Sequence, residues 1–250
     1  AFDEDMHIAV VGGKRVRIRL ADDLKEERSH SVSLSADLYH NFGRVQTNLL
    51  VEGFYTILDD VFALRDLEDT DDGGKIKERY NGSGAAVRGF NVEGRAIFTR
   101  WFELQAGVTL QQSRYKEPEQ WSEDADVPPV RRMFRTPDAY GYFTASFKPV
   151  RNFTADLTGT CTGSMLVQHM AGSGVAQDAA VSTPSFFDMN VRLSYDLRIY
   201  KEITLQLYGG VQNLFNAYQK DFDKGADRDS GYIYGPSLPR SWFVGAKFSF

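Results

Sequence analysis

The most regular feature of the chain is an alternation of apolar and polar residues in blocks of about ten to fifteen positions. Phe187, Met189, Val191, Leu193, Tyr195, Leu197 and Ile199 alternate with Asp188, Asn190, Arg192, Ser194, Asp196 and Arg198. Successive side chains of a β-strand point to opposite faces, so this pattern predicts a strand with one apolar and one polar face. The same period runs through 31–42, 45–52, 90–99, 102–111, 139–147, 203–213 and 241–250. In the last of these, Trp242, Val244, Ala246, Phe248 and Phe250 share a face. The longest run places Phe153, Ala155, Leu157, Gly159, Cys161, Gly163, Met165 and Val167 together, opposite Thr154, Thr158, Thr160 and Thr162. Val16, Ile18 and Leu20 alternate with Arg17 and Arg19 and predict a short strand near the start. The pattern therefore predicts an all-β, antiparallel chain of about nine or ten strands, longer than the five or six residues usual in soluble sheets.

The connections alternate as strictly as the residues. Short turns at Gly43, Arg100, Val150 and Tyr200 separate long segments at 66–84, 116–137, 169–184 and 214–239. Outer-membrane barrels have this asymmetry, with short periplasmic turns and long external loops. A soluble sandwich with one solvated face is the plainer alternative, and its polar face is expected to be rich in Lys and Glu. Here that face is Ser, Thr, Asn, Gln and Tyr with interspersed opposite charges, among them Asp37, Glu52, Glu93, Arg95, Asp156, Asp188, Arg192 and Asp196. Such a face suits a wet, filled lumen.

Composition narrows the choice. Mean hydropathy is −0.38, and no run approaches the roughly 20 apolar residues that a spanning helix needs. That argues against a helical membrane protein and not against a barrel, whose strands meet lipid only at alternate residues. Aromatic residues make up 13%, which suits interfacial girdles. A net charge of −5 argues against a nucleic-acid partner. Cys161 is the single cysteine, so no intrachain disulfide forms. The opening Ala1-Phe2-Asp3-Glu4-Asp5 has neither the basic start nor the apolar core of a signal peptide.

The end of the chain carries a family resemblance. Asn213-Leu214-Phe215-Asn216, then Tyr218, a charged loop, Pro239-Arg240 and a last strand ending in Phe250 resemble the C-terminal end of a TonB-dependent outer-membrane receptor. Leu24-Lys25-Glu26-Glu27 is similar to the segment that precedes a mid-barrel strand in that family. The resemblance covers about Ala21 to Phe250. It implies the C-terminal half of a larger barrel, of the kind with about 22 strands and a plugged lumen. Residues 1–250 are then one barrel portion in the bacterial outer membrane. The implied partners are outer-membrane lipid, the rest of the barrel, the plug domain, a TonB complex acting through a segment outside this sequence, and a small solute such as a siderophore, cobalamin, haem or glycan. The implied work is binding and gated transport. A complete small barrel enzyme and a soluble β-rich binding module are the alternatives.

Candidate chemistry is sparse. No H-E-x-x-H, paired C-x-x-C or Walker A pattern occurs. Gly159-Thr160-Cys161-Thr162-Gly163 imitates a nucleophile elbow, but the alternation runs straight through it and puts Cys161 on the lipid face. No catalytic residue is assigned. His169 lies beside Met170 at the start of a long loop, a pair that a haem or metal receptor can use, while His7, His30 and His40 are scattered. Trp121, Tyr218, Phe222, Tyr232 and Tyr234 are candidate ligand-binding aromatics of the external loops. Asp221, Asp223, Asp227 and Asp229 around Gly225 partly match a calcium loop, in which several oxygens converge on a hard cation. Calcium is the one cofactor weighed; otherwise none is expected.

Overall fold

The computed structural model describes residues 9–11, 14–69, 75–172, 174–200, 203–236 and 238–250. The described residues form sixteen strands and no helix. In order these are β1 (Ala9–Val11), β2 (Lys14–Leu20), β3 (Arg28–Phe42), β4 (Val45–Asp59), β5 (Phe62–Asp69), β6 (Lys75–Asn81), β7 (Ala85–Thr99) and β8 (Phe102–Glu119). There follow β9 (Val130–Arg132), β10 (Ala139–Phe147), β11 (Phe153–Thr162), β12 (Leu166–His169), β13 (Ala179–Ser182), β14 (Phe186–Tyr200), β15 (Ile203–Gln212) and β16 (Ser241–Ser249).

Nine long strands build one antiparallel sheet in the order β16-β15-β14-β11-β10-β8-β7-β4-β3, with β9 paired to β8 off that path. Apart from irregularities at the turn ends of two hairpins, between Ile97 and Thr99 and between Arg198 and Tyr200, the register keeps like faces together. Leu38 pairs with Leu49, Leu49 with Gly94 and Gly94 with Ala106; further along, Leu157 pairs with Val191 and Val191 with Val211. One apolar face therefore crosses the whole sheet. A shift of one residue in any pair would turn that strand's apolar set to the polar side, which is why the sequence alternation fixes the register so firmly. The β3–β4 turn helps: Gly43 has φ +64° at the first position of a two-residue hairpin, the place where that turn type requires glycine.

The apolar face is exposed along its length, with Leu34, Phe90, Val244 and Phe248 all open to the surroundings. Aromatic rings gather near its turn-side rim, where Phe102 stacks on Phe98 at 5.1 Å and on Phe147 at 4.6 Å. Toward the loop side, Phe187 packs against Phe143 and Phe215 at 6.3 and 5.9 Å. An exposed apolar band between two aromatic belts is the outer surface of a membrane barrel.

The opposite face is polar and knitted together. Asn91 donates to Glu52 at 2.9 Å, Arg95 pairs with Glu103 at 2.6 Å, Ser146 donates to Asp156 at 2.7 Å, and Gln206 donates to Asp196 at 2.8 Å. The Tyr142 hydroxyl donates to Glu93, and the Arg192 guanidinium lies 4.5 Å from the centre of the Tyr208 ring.

Three expectations change at the loop side. Of the expected loop 66–84, residues 66–69 and 75–81 belong to a small sheet, β1-β2-β6-β5, in which β2 runs parallel to β6. Within the expected loop 169–184, β13 (Ala179–Ser182) pairs with β12, which begins before the loop at Leu166. The run beginning at Phe153 leaves the barrel sheet after Thr162, so Met165 and Val167 are not on the lipid face; Val167 is fully buried among the loops. Gly163 makes that departure feasible: its backbone N–H donates to the Ala139 carbonyl, and a side chain there would strike the same oxygen.

Candidate functional site

At the loop side of the sheet, the described residues of 120–138, 163–172, 174–185, 213–236 and 238–240 are joined into a cap. Its centre is a small apolar cluster of Val167, Tyr232 and Tyr234, packed by Met165, Val181 and Phe186. Both tyrosine hydroxyls donate to one carboxylate: Tyr232 to Asp221 Oδ2 at 2.9 Å and Tyr234 to Asp221 Oδ1 at 2.6 Å. The buried Gln219 holds the strand of chain that carries them, donating to the Tyr232 carbonyl at 3.0 Å and accepting from the Tyr234 N–H at 2.8 Å.

His169 joins this cluster from the other segment. Its ring lies flat on Tyr232, with centroids 3.7 Å apart, and its Nε2 donates to Asp223 Oδ1 at 3.0 Å. Asp223 also accepts from the Asp229 N–H at 3.1 Å, and Asp229 accepts from the Met170 N–H at 2.8 Å. The first segment is tied in by Arg135, which donates to the carbonyls of Ile233, at 2.8 Å, and Gly231. Ser122 donates to Asp178 Oδ2 at 2.7 Å, and Gln177 to Asp124 at the same distance.

Burial alone would raise the pKa values of Asp221 and Asp223. The tyrosine hydroxyls outweigh it at Asp221, and the His169 and Asp229 donors outweigh it at Asp223, so both carboxyls lie below the usual range. Burial and the adjacent Asp221 charge push both tyrosine hydroxyls upward. The cap is thus held by ionised aspartates and protonated tyrosines at neutral pH.

The base of the loop is set by Asn213 and Asn216, both with positive φ, of 50° and 54°. Asn213 accepts from the Ala217 N–H at 2.7 Å and donates to the carbonyls of Ala217 and Leu238 at 3.0 and 2.9 Å. Asparagine tolerates this backbone conformation and can bond locally, which explains its place at both ends of the Asn-Leu-Phe-Asn turn.

Beneath the cap lies a recess of about 290 Å³ bounded by Thr160, Thr162, Met165, Phe186, Asp188, Gly235 and Pro236. Asp188 Oδ1 is buried there without a hydrogen-bond partner among the described residues. A buried acceptor of this kind calls for a donor. The recess therefore fits a hydroxyl, amide or ammonium group.

The comparisons follow this geometry. Residues 9–214 match the family described as TonB dependent receptor-like, beta-barrel. The chain belongs to the TonB-dependent receptor β-barrel family. Among solved structures, it superposes on the ferric-catecholate import receptor Fiu from E. coli K12 with a TM-score of 0.60 at 18% identity, covering 95% of this chain and 29% of that one. A mutant of the ferric enterobactin receptor PfeA from Pseudomonas aeruginosa gives 0.59 at 17% identity, covering 90% and 31%. The FrpB iron transporter from Neisseria meningitidis gives 0.58 at 16%, covering 94% and 33%. At these identities the likeness is one of fold. The chain spans about a third of the length of the structures it matches. No curated protein matches the sequence.

The sequence-predicted site residues divide under this geometry. Tyr232 and Tyr234 come together, but at 3% and 6% exposure they are the buried core of the cap and offer no surface to a solute. Phe222 is exposed, and Tyr218 is half-buried outside the tyrosine cluster. Trp121 lies in another segment, packed edge-on against Phe134 at 5.3 Å. The four aspartates do not converge on a common point. Asp221, Asp223 and Asp229 each have both oxygens engaged by protein donors, and no group of three or more His, Cys, Asp or Glu among the described residues is arranged to hold a metal ion. The calcium loop becomes a hydrogen-bonded hub because its carboxylates face tyrosines, a histidine and backbone N–H groups. Asp188 is one of the lumenal charges read from the sequence, whereas Gln219 and Arg135 went unrecognised. Gln219 and Arg135 make contacts across 13 to 98 residues that no local pattern signals.

Proposed function

We infer that this chain is the C-terminal portion of an outer-membrane receptor barrel that takes up a scarce solute by energy-coupled transport. The observation that carries the reading is the sheet itself, with an exposed apolar face, a hydrogen-bonded polar face and long loop segments packed together at one end. Family membership supplies the rest, since members are outer-membrane barrels of Gram-negative bacteria that work as transport receptors. External segments capture the solute, the recess at Asp188 offers it an acceptor, and a plug domain, moved through a TonB complex, admits it. The fold-level likeness to siderophore and iron receptors puts a metal chelate first among the candidate solutes.

The test uses the full-length receptor. A strain lacking it is grown with ferric siderophores, haem, cobalamin or oligosaccharides as the limiting supply, and the purified receptor is titrated with each. One solute is expected to bind and to need the receptor for growth. Normal growth on every supply, with no binding, would overturn the reading.

A further inference from the structure

The lipid-facing side carries a site of its own. Leu34, Gly53, Phe90 and Leu110 lie in one cross-strand row, with Val32 and Tyr55 in the next row toward the loops. They surround a groove of about 570 Å³, closed at its loop end by Arg88 and Gln112. Gly53 makes the groove, because its neighbours carry large side chains and it carries none.

Charge at the top of the groove is unbalanced. Arg88 donates to Gln112 Oε1 at 2.8 Å and has no carboxylate partner among the described residues. Arg114, two residues beyond Gln112 on the same face, has none either. The other cations nearby are matched: Lys116 with Asp59, Arg131 with Glu117 at 3.4 Å, and Arg132 with Asp138 at 3.1 Å. Diagonal positions on adjacent strands are about 7–8 Å apart, close enough for two long arginine side chains to share one anion.

Depth identifies the anion. Arg88 is ten residues from Phe98 of the turn-side belt along β7. That is about 33 Å along the strand, or roughly 25 Å across the bilayer at a tilt near 40°. The arginines therefore lie at headgroup level of the outer leaflet, with an acyl-sized groove directly below.

We propose that Arg88 and Arg114 bind the phosphate of an outer-leaflet lipid whose acyl chain lies in the groove at Gly53. Arginine suits the task because its planar fork matches a phosphate in two bonds. The lipid would brace β3, β4, β7 and β8 from outside, opposite Glu52 and Glu93 on the polar wall. The proposal rests on the outer-membrane reading above.

The experiment uses full-length receptor purified in mild detergent. Phosphorylated glycolipid and its dephosphorylated form are titrated and counted by native mass spectrometry. The double variant Arg88→Gln/Arg114→Gln should bind the phosphorylated form about twenty-five-fold more weakly, at about fivefold for each basic residue at a membrane surface. Gly53→Leu should weaken binding with both arginines intact, since its Cβ meets Phe90 at an ordinary 3.4 Å and the added branch fills the groove. Inorganic phosphate should not displace the lipid. Unchanged affinity in the double variant, equal binding of the dephosphorylated form, or full displacement by phosphate would overturn the proposal. Heat-modifiable gel mobility of membrane fractions separates the two claims: a receptor absent from the outer membrane defeats the functional reading, whereas one that inserts normally and fails these titrations defeats only the lipid site.

Discussion

Replacing Tyr234 with Phe removes one hydroxyl from the centre of the cap and nothing else. That hydroxyl donates to the Asp221 carboxylate at 2.6 Å from a side chain 6% exposed, while Tyr232 supplies the second donor at 2.9 Å. A hydrogen bond to a charged group contributes about 1.5–3 kcal/mol, and exposure of Asp221 places this one near the lower end. A loss of roughly 1.4 kcal/mol multiplies the opening equilibrium of the cap about tenfold. Hydrogen exchange on the full-length receptor reads this directly. The amides of Tyr234, Asp229 and Met170, bonded to Gln219, Asp223 and Asp229, should exchange about tenfold faster. Amides in the β14–β15 ladder, such as those of Val191 and Val211, should not change. Unchanged exchange at Met170 in a folded Tyr234→Phe receptor would refute the hub, because the carboxylate network would then not couple the two segments. Equal acceleration in the ladder would refute the separation of cap from barrel.

Further outcomes follow from the same geometry. Asp221 and Asp223 have depressed pKa values in the folded cap, so their contribution is complete above the ordinary aspartate value of about 3.9 and is lost as pH falls below it. Exchange of the Met170 amide, after correction for intrinsic rates, should therefore rise as pH falls below about 4; an unchanged rate down to about pH 2 would contradict this assignment. Leu157→Arg, on the lipid face, should reduce assembled receptor in membrane fractions at a cost of roughly 2–4 kcal/mol, whereas Thr144→Arg, on the polar face of the neighbouring strand, should assemble. Equal loss in both variants would contradict the assigned faces. A membrane-impermeant thiol reagent on intact cells should label Ala226→Cys in the cap and not Arg44→Cys in the β3–β4 turn, and the reverse result would invert the topology.

The barrel strands were legible because one periodicity encodes both their type and their facing. The run 139–147 is β10 with the same limits, and the run from Phe187 differs from β14 by one residue at each end. Where the sequence misled, alternation continued after its meaning had changed. Met165 and Val167 keep the phase of Phe153, yet β12 pairs with β13 instead of β14. Periodicity reports a strand and cannot report which sheet receives it. The cap was least legible. Its aspartates match a calcium loop by spacing, but the deciding partners are His169, about 50 residues upstream, and two tyrosines whose burial no local pattern announces. Aromatic residues in loops served as a signal for ligand contact, and here Tyr232 and Tyr234 hold the loops to each other.

Strand direction decides how this sheet can close. β3 runs from the loop side to the turn side, since the Gly43 turn joins it to β4; β16 follows the long segment 213–240 and runs the same way. The two edge strands of the nine are therefore parallel. Closing the sheet on itself would require one parallel seam in an otherwise antiparallel barrel, against the even, all-antiparallel order of single-chain bacterial barrels. Leaving it open is worse. Each edge presents a row of unpaired N–H and C=O groups over lengths of 15 and 9 residues, and every such group facing hydrocarbon costs several kcal/mol. An odd number of further strands removes both difficulties, as family membership leads one to expect. Cysteines at Ser35 of β3 and Lys247 of β16, in a full-length receptor with Cys161 replaced by serine, test this. With strands between them they should remain free thiols under oxidising conditions, whereas Ser35 paired with its partner position Glu52 should cross-link readily. An efficient Ser35–Lys247 disulfide in folded receptor would mean that nine strands close on themselves, and the larger barrel would have to be given up.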